Sequence, residues 1–288
     1  MTSLQVEAGA KADVLIEALP YIRTYRGQTV VVKIGGAPLE DAAHARSVAK
    51  DLALMHLVGI QVVVVHGGGP QVSRAMTAAG LEPSFVQGLR VTTPDAMRVV
   101  KQILVGEINP FLTGCLRRAG LRAVGTSGLD GGSLSAARRG GPDGAWGLVG
   151  DVESADPAFL RSLLEEGYVP VVASLAPDEE GELLNLNADA AAAALAAALK
   201  ATKLVYLTNV DGLYRDLADQ GSLVSELKAS DLSAMLGSLS EGMRPKAVSA
   251  VAALEGGVGK VHILDGRVKH ALLLEVFTDE GVGTQVLP

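Results

Sequence analysis

Two β-branched runs early in the chain each end in glycine, and this pattern limits the fold most. Thr29–Val32 runs into Lys33 and then Gly35-Gly36, and Gln61–Val65 runs into His66-Gly67-Gly68-Gly69-Pro70. Helical spacing follows each, over residues 41–58 and from about Gln71. Short apolar runs bounded by turns are read as strands buried on both faces. Strands joined through helices lie parallel, with the helices packed on the sheet faces. The alternation continues with strands at Arg122–Thr126, Val169–Ala173, Lys203–Leu207 and Lys260–Leu264. Helical segments lie between them at about 95–119, 157–166, 187–199, 229–237 and 246–255. Residues 133–155, with the turn cluster Arg139-Gly140-Gly141-Pro142, read as hairpins in a surface excursion. The expected fold is α/β, a three-layer sandwich around a largely parallel sheet. Its site should lie outside the carboxyl ends of the strands, where the glycines fall.

Composition narrows the function. The 288-residue chain is 48% hydrophobic with 34 glycines but only 3% aromatic residues, and its formal net charge is −7. Few stacking rings and a negative balance argue against nucleic acid or an anionic membrane as partner. A small anionic ligand would need local cations and backbone N–H groups. The single cysteine, Cys115, excludes an intrachain disulfide and reads as a core residue. The amino terminus lacks the basic-then-apolar pattern of a secretory signal. The longest membrane-like stretch, Ala190–Leu199, is too short to span a bilayer. A cytoplasmic location is expected.

Residues 4–26 carry apolar positions at helical spacing, with Pro20 expected to kink the helix. It is either a helix packed on its own domain or an arm for another subunit, and periodicity does not separate the two.

Several short motifs carry chemistry. Lys33, before Gly35 and Gly36, places a point charge beside glycines whose N–H groups can face an anion; a plain turn is the simpler reading. The spacing matches neither a Walker loop nor a dinucleotide fingerprint. The His66–Pro70 loop opens a helix whose N-terminus favours anions, and His66 reads as a structural hydrogen-bond donor. Arg90, in Gly88-Leu89-Arg90-Val91-Thr92, offers a bidentate fork for a carboxylate, or makes a surface salt bridge. Asn185 and Asn187 alternate toward one side ahead of Asp189, as ligand contacts or as helix caps. Lys246 sits in the first turn of a helix, where a cation is disfavoured unless it meets an anion.

The order of these segments is far more specific than any one of them. With Ser127-Gly128-Leu129-Asp130-Gly131, Leu207-Thr208-Asn209-Val210-Asp211-Gly212 and Gly242-Met243-Arg244-Pro245-Lys246 added, the chain from about residue 12 to 288 resembles the amino acid kinase family. Within it, the resemblance is to the branch that phosphorylates the side-chain carboxylate of N-acetyl-L-glutamate with ATP and Mg²⁺. The resemblance implies a substrate lobe at 27–198, an ATP lobe at 199–288 and an oligomerisation arm at 1–26. It implies that Lys33 and Lys246 flank the transferring phosphoryl group and that Asp189 orients them. Gly35, Gly36, Gly68 and Gly69 would donate N–H groups, the first two to the nucleotide and the others on the substrate side. Arg90 and Asn185 would hold the substrate's carboxylate and acetamido groups. Thr208, Asn209 and Met243 would line the nucleotide. The residues point to no metal ligand. Like the arginine-inhibited hexamers of this branch, the chain would place Tyr21, His270, Glu275, Gly281 and Gly283 around an arginine effector.

Three positions depart from the family pattern. Leu129 and Pro110 stand where lysine is usual, and Asn209 stands where aspartate is usual. Ser-Gly-Leu-Asp-Gly also suits relatives acting on aminoadipate or glutamate linked to a carrier protein, which remain an alternative. A catalytically silent nucleotide-binding regulator is a second, disfavoured by the retention of Lys33, Asp189 and Lys246 together.

Overall fold

The computed structural model describes residues 16–140, 144–215, 219–278 and 281–288. One eight-stranded sheet organises them. Strands β1 (Thr29–Ile34), β2 (Gln61–His66), β5 (Ala123–Ser127), β8 (Val169–Ala173), β11 (Lys203–Thr208), β14 (Glu226–Lys228), β15 (Lys260–Asp265) and β16 (Gly283–Leu287) take the order β14-β16-β15-β11-β1-β2-β8-β5. All neighbours run parallel except β15 and β16. The strands before residue 199 occupy one side of the β1/β11 boundary and those after it the other. β1 and β2 show why the runs form strands: Val30–Val32 and Val62–Val65 are all fully buried. Branched side chains on both faces require helices above and below.

Those helices include α2 (Ala42–Leu57), α3 (Gly69–Ala78), α4 (Pro94–Lys101), α5 (Asn109–Arg118), α6 (Ala158–Glu165), α7 (Ala188–Ala198), α8 (Ala229–Met235) and α9 (Arg244–Glu255). The predicted helix at 95–119 is present, but Gln102–Ile108 between α4 and α5 is π-helical. π-Helical turns are rare and often mark functional sites. The expected excursion at 133–155 is also present. β6 (Leu134–Arg138) and β7 (Val149–Ala155) join β9 (Leu175–Pro177) and β10 (Leu183–Leu186) in a separate four-stranded sheet, and β3 (Phe85–Val86) pairs with β4 (Leu89–Arg90). Gly141 and Pro142 of its turn cluster lie outside the described residues.

Residues 4–15 of the helix expected at the amino terminus also lie outside them. Its described part is helical at residues 16–17, turns at Ala18, and resumes as α1 (Leu19–Tyr25) with Pro20 in the first turn. The break falls where a proline ring meets the preceding turn. Strand β16 and helix α10 (Ala271–Phe277) complete the carboxyl end. Among the described residues no helix is long and apolar enough to cross a membrane.

Candidate active site

β1 and β11 are neighbours whose following strands lie on opposite sides, β2 beside β1 and β15 beside β11, so a crevice opens at their carboxyl ends. Lys33 is the next-to-last residue of β1, in register with Tyr206 of β11. Asp189 reaches it from the first turn of α7, where a carboxylate suits the helix dipole. Asn187 caps that helix, its Oδ1 accepting from the N–H groups of Asp189 at 2.8 Å and Ala190 at 3.1 Å. The sequence had left cap and ligand contact both open for this asparagine, and capping is what the geometry displays.

Two ammonium groups share the one carboxylate. Lys33 Nζ lies 2.7 Å from Asp189 Oδ1, and Lys246 Nζ, from the first turn of α9, donates to Oδ2 at 2.8 Å. Lys246 also sits over the Tyr206 ring, 5.1 Å from its centroid, and the Tyr206 hydroxyl donates to the Asp189 carbonyl at 3.3 Å. Burial alone would raise the Asp189 pKa, but the charges of Lys246 and Lys33 outweigh it and hold the group well below the usual carboxylate range. Burial lowers the Lys246 pKa, against the pull of Asp189 and with the push of Lys33. Two cations on one anion leave one positive charge in excess at the edge of a cavity of about 280 Å³, which Lys33 and Asp189 both line.

The glycines shape this cavity in different ways. A Cβ on Gly35 would lie 2.9 Å from Lys33 Nζ, so a side chain there would displace the ammonium from its place beside Asp189. The Gly35 N–H already donates to the Leu207 carbonyl at 3.1 Å, which extends the β1–β11 ladder. Gly36 has φ +64°, and its Cβ would collide with the Asn209 amide. At Gly68 a Cβ would strike Ile108 Cδ1 of the π-helical segment, whereas Gly69 opens onto free space at the start of α3.

Arg90 lines the same cavity and is buried. Its Nη2 donates to the Gly69 carbonyl at 2.8 Å and to Ser73 Oγ at 2.6 Å, and its guanidinium lies over the Phe85 ring. Burial is what lowers its pKa, with no carboxylate contributing. Asn185 Nδ2 donates to Thr92 Oγ1 at 3.1 Å, and that hydroxyl donates to the Arg90 carbonyl at 3.0 Å, so the two predicted substrate residues are tied together. His66 is fully buried between the Gly67 carbonyl and the Asn109 amide, and burial takes its pKa down to about 4. It is a neutral structural group, as the sequence suggests.

Thr208 and Asn209 lie at the carboxyl end of β11 and Met243 at the N-cap of α9, outside the lining of this cavity. Of the departing positions, Pro110 falls in the first turn of α5 and Leu129 is half exposed. Of the five residues predicted around an effector, Glu275 and Gly281 adjoin, since a Cβ on Gly281 would lie 3.2 Å from Glu275 Oε2. Glu275 is turned inward, 2.6 Å from His262 Nδ1. His270 instead pairs with buried Asp51 of α2 at 2.5 Å, Gly283 packs on the Ile263 carbonyl, and Tyr21 packs against the core.

Tyr206, Ser73 and Thr92 were not singled out from sequence. A tyrosine inside an apolar strand reads as core, and a serine one turn into a helix reads as surface. Thr92 alone had a signal, its place in the Gly88–Thr92 motif.

The chain belongs to the amino acid kinase family, whose model matches residues 28–265. Among its relatives is the acetylglutamate kinase of Heliobacterium modesticaldum, 47% identical over 98% of this chain and 99% of that one. That of Acidothermus cellulolyticus is 48% identical over 97% of each. A solved N-acetylglutamate synthase from Neisseria gonorrhoeae, in complex with coenzyme A and N-acetyl-glutamate, superposes with a TM-score of 0.86 at 34% identity. The match covers 96% of this chain and 63% of the synthase. An isopentenyl phosphate kinase, 19% identical with a TM-score of 0.65, shares the fold.

Proposed function

We propose that this chain is an ATP-dependent kinase that phosphorylates the side-chain carboxylate of N-acetyl-L-glutamate, forming an acyl phosphate in arginine biosynthesis. The observation that carries the reading is Asp189 held between Lys33 and Lys246 at a cavity that Arg90 lines without an acidic partner among the described residues. A γ-carboxylate with a pKa of about 4.3 is already ionised at neutral pH, so the nucleophile needs no general base. The task is to bring two anions together in line and neutralise charge on the moving group. Lys33 and Lys246 supply that charge, and Asp189 fixes their positions. Arg90, with Asn185 tied to it through Thr92, takes the substrate's α-carboxylate and acetamido groups. Gly68 and Gly69 open the loop on that side. ATP occupies the other side, in a lobe formed by residues 199–288, against Gly35, Gly36, Thr208, Asn209 and Met243. Since the Gly35 N–H is engaged, its part there is to leave room for Lys33.

Both oxygens of Asp189 are occupied by lysines. Among the described residues no three His, Cys, Asp or Glu side chains gather as a metal site. Magnesium would therefore arrive on the ATP phosphates, held by their oxygens and water, and would offset charge on the transferring group. Hydroxylamine trapping of the acyl phosphate tests the reading directly. N-acetylglutamate should give ATP-dependent hydroxamate, with free glutamate and N-acetylaminoadipate far weaker. Equal turnover of all three, or none with N-acetylglutamate, overturns it.

The regulatory reading is a cytoplasmic hexamer, joined through residues 1–26 and inhibited by arginine. It is supported by the break in the helix ahead of Pro20 and by the carboxylate of Glu275 beside Gly281. The same synthase has also been solved with L-arginine, at 31% identity and a TM-score of 0.82. Deleting residues 1–26 should shrink the oligomer and reduce arginine sensitivity while catalysis persists. A full-length dimer indifferent to millimolar arginine would end this reading and leave the kinase assignment standing.

A further inference from the structure

Beyond Thr208 and Asn209 the chain turns through Gly212 into a small hairpin, β12 (Leu213–Tyr214) and β13 (Leu223–Val224). The hairpin is too short to hold itself, since two-residue strands bury little and make few ladder bonds. Its root is instead fastened to β16 by one hydroxyl. Thr284 Oγ1 accepts from the Leu213 N–H at 2.8 Å and donates to the Val224 carbonyl at 2.6 Å. Leu213 and Val224 are register partners, so the hydroxyl ties both strands of the hairpin at one rung.

The clamp is built to close tolerance. Thr284 is 1% exposed, and Leu213 and Val224 are buried too. A Cβ on Gly212 would sit 2.5 Å from Thr284 Oγ1, so the hairpin approaches the hydroxyl only because residue 212 has no side chain. A Cβ on Gly283 would meet the Ile263 carbonyl at 2.2 Å, and its absence lets β16 lie against β15 with Thr284 opposite Ile263. Two glycines thus frame one threonine. The next residue, Gln285, donates its N–H to the Ser225 carbonyl at 2.8 Å, which continues the attachment just past the hairpin.

We infer that Thr284 is a positioning residue for the nucleotide. It fixes the root of the hairpin that begins four residues after Asn209, and so holds the Thr208–Gly212 segment against Gly36. This rests on the reading that places ATP on that side of Lys33 and Lys246. On the substrate side Arg90 is held by Gly69 and Ser73 of α3, and Asn185 by Thr92, whereas the Thr284 hydroxyl bonds only to Leu213 and Val224 among the described residues. Losing the hydroxyl should therefore affect the two substrates unequally.

Thr284→Val keeps the shape and removes both hydrogen bonds, leaving a buried N–H and a buried carbonyl unpaired. The KM for ATP should rise about tenfold, the equivalent of one lost buried hydrogen bond. The KM for N-acetylglutamate should stay within about twofold, and Thr284→Ser should restore the ATP value. A parallel titration with a non-hydrolysable ATP analogue reads affinity without turnover and should shift by the same factor. If Thr284→Val leaves ATP affinity unchanged, or weakens both substrates equally and is not rescued by serine, the inference is wrong. A variant too unstable to assay by turnover is decided by Thr284→Ser and Gly212→Ala. The first should match wild type and the second should weaken the analogue alone; equal behaviour of the two overturns the inference. A wild type that binds the analogue yet makes no hydroxamate from N-acetylglutamate defeats the substrate reading while the affinity comparison still judges Thr284.

Discussion

Two buried carboxylates in this molecule, Asp189 and Glu275, are each held by basic side chains, yet they are suited to opposite work. Asp189 meets two lysines, at 2.7 and 2.8 Å. Glu275 meets His262 at 2.6 Å, while Lys203 donates to its backbone carbonyl at 3.3 Å and lies over the Tyr25 ring. Burial lowers the His262 pKa despite its hydrogen bond to the Glu275 carboxylate, so at neutral pH the imidazole is uncharged. Around Glu275 one carboxylate balances the one buried lysine, Lys203, and the half-buried Lys260 stands outside that neutral pair. Around Asp189 the sum is +1, at the edge of an open cavity. A buried cluster with excess charge is costly unless a counter-ion completes it. A balanced one is content as structure. Net charge, more than the closeness of the pairs, separates the proposed catalytic cluster from the one beneath α10.

The largest effect should come from removing the excess. Lys33→Ala or Lys246→Ala leaves Asp189 with one lysine and a neutral cluster, like that of Glu275. We expect kcat to fall at least about a hundredfold, as when one electrostatic donor to a transition state is lost. The KM for N-acetylglutamate should change little, because the charge that each lysine meets develops during transfer. Single-turnover rates near wild type in both variants would break the comparison.

Arg90 sharpens it from the other side, as a buried cation with no carboxylate beside it among the described residues. Arg90→Lys retains the charge and loses the planar fork. The KM for N-acetylglutamate should rise about tenfold, the value of one charge-assisted hydrogen bond, with kcat less affected. Steady-state kinetics with varied N-acetylglutamate measure both. An unchanged KM would make Arg90 a support for Gly69 and Ser73 alone.

How far the sequence revealed these two clusters follows from their composition. The sheet interior was legible because Val30–Val32 and Val62–Val65 are uninterrupted apolar runs, and Val169–Ala173 was placed to the residue. Lys33 and Lys246 were legible as anomalies, one ending a buried strand and the other in the wrong turn of a helix. Their meeting at Asp189 joins residues 57 and more apart in the chain, and periodicity carries no such information. Strand β16 was hidden because Gly283-Thr284-Gln285-Val286-Leu287 alternates too briefly to stand out from a turn. Lys203 and His262 sit inside strands that read as apolar, so the cluster they form with Glu275 appears only when β11 and β15 pair. The π-helical turn at 102–108 has no signature in a pattern that fits an ordinary helix equally well.

The smallest effect concerns pH, where the balanced cluster should betray itself in stability and not in catalysis. Burial brings the Lys203 pKa down to about 8, against the pull of Glu275 and with the push of Lys260. In the unfolded chain a lysine titrates near 10.4. Between those values the unfolded state binds the extra proton, so the stability of the fold should rise with pH from about 8 to about 10. Below pH 8 both states are protonated, and the cost of the buried ammonium is fully present. Lys203→Met removes the group, so the difference in unfolding free energy between the two proteins should change across that window by on the order of 1 kcal/mol per pH unit and be flat below it. Urea unfolding at several pH values reads this difference and cancels the other lysines and tyrosines common to both proteins. Activity of the variant without arginine should remain within about twofold, since Lys203 is remote in the sheet from the carboxyl end of β11. A difference that stays flat from pH 7 to 10 would mean that the ammonium keeps its charge in the folded state, and the cluster beneath α10 would then hold a firm ion pair like those at Asp189.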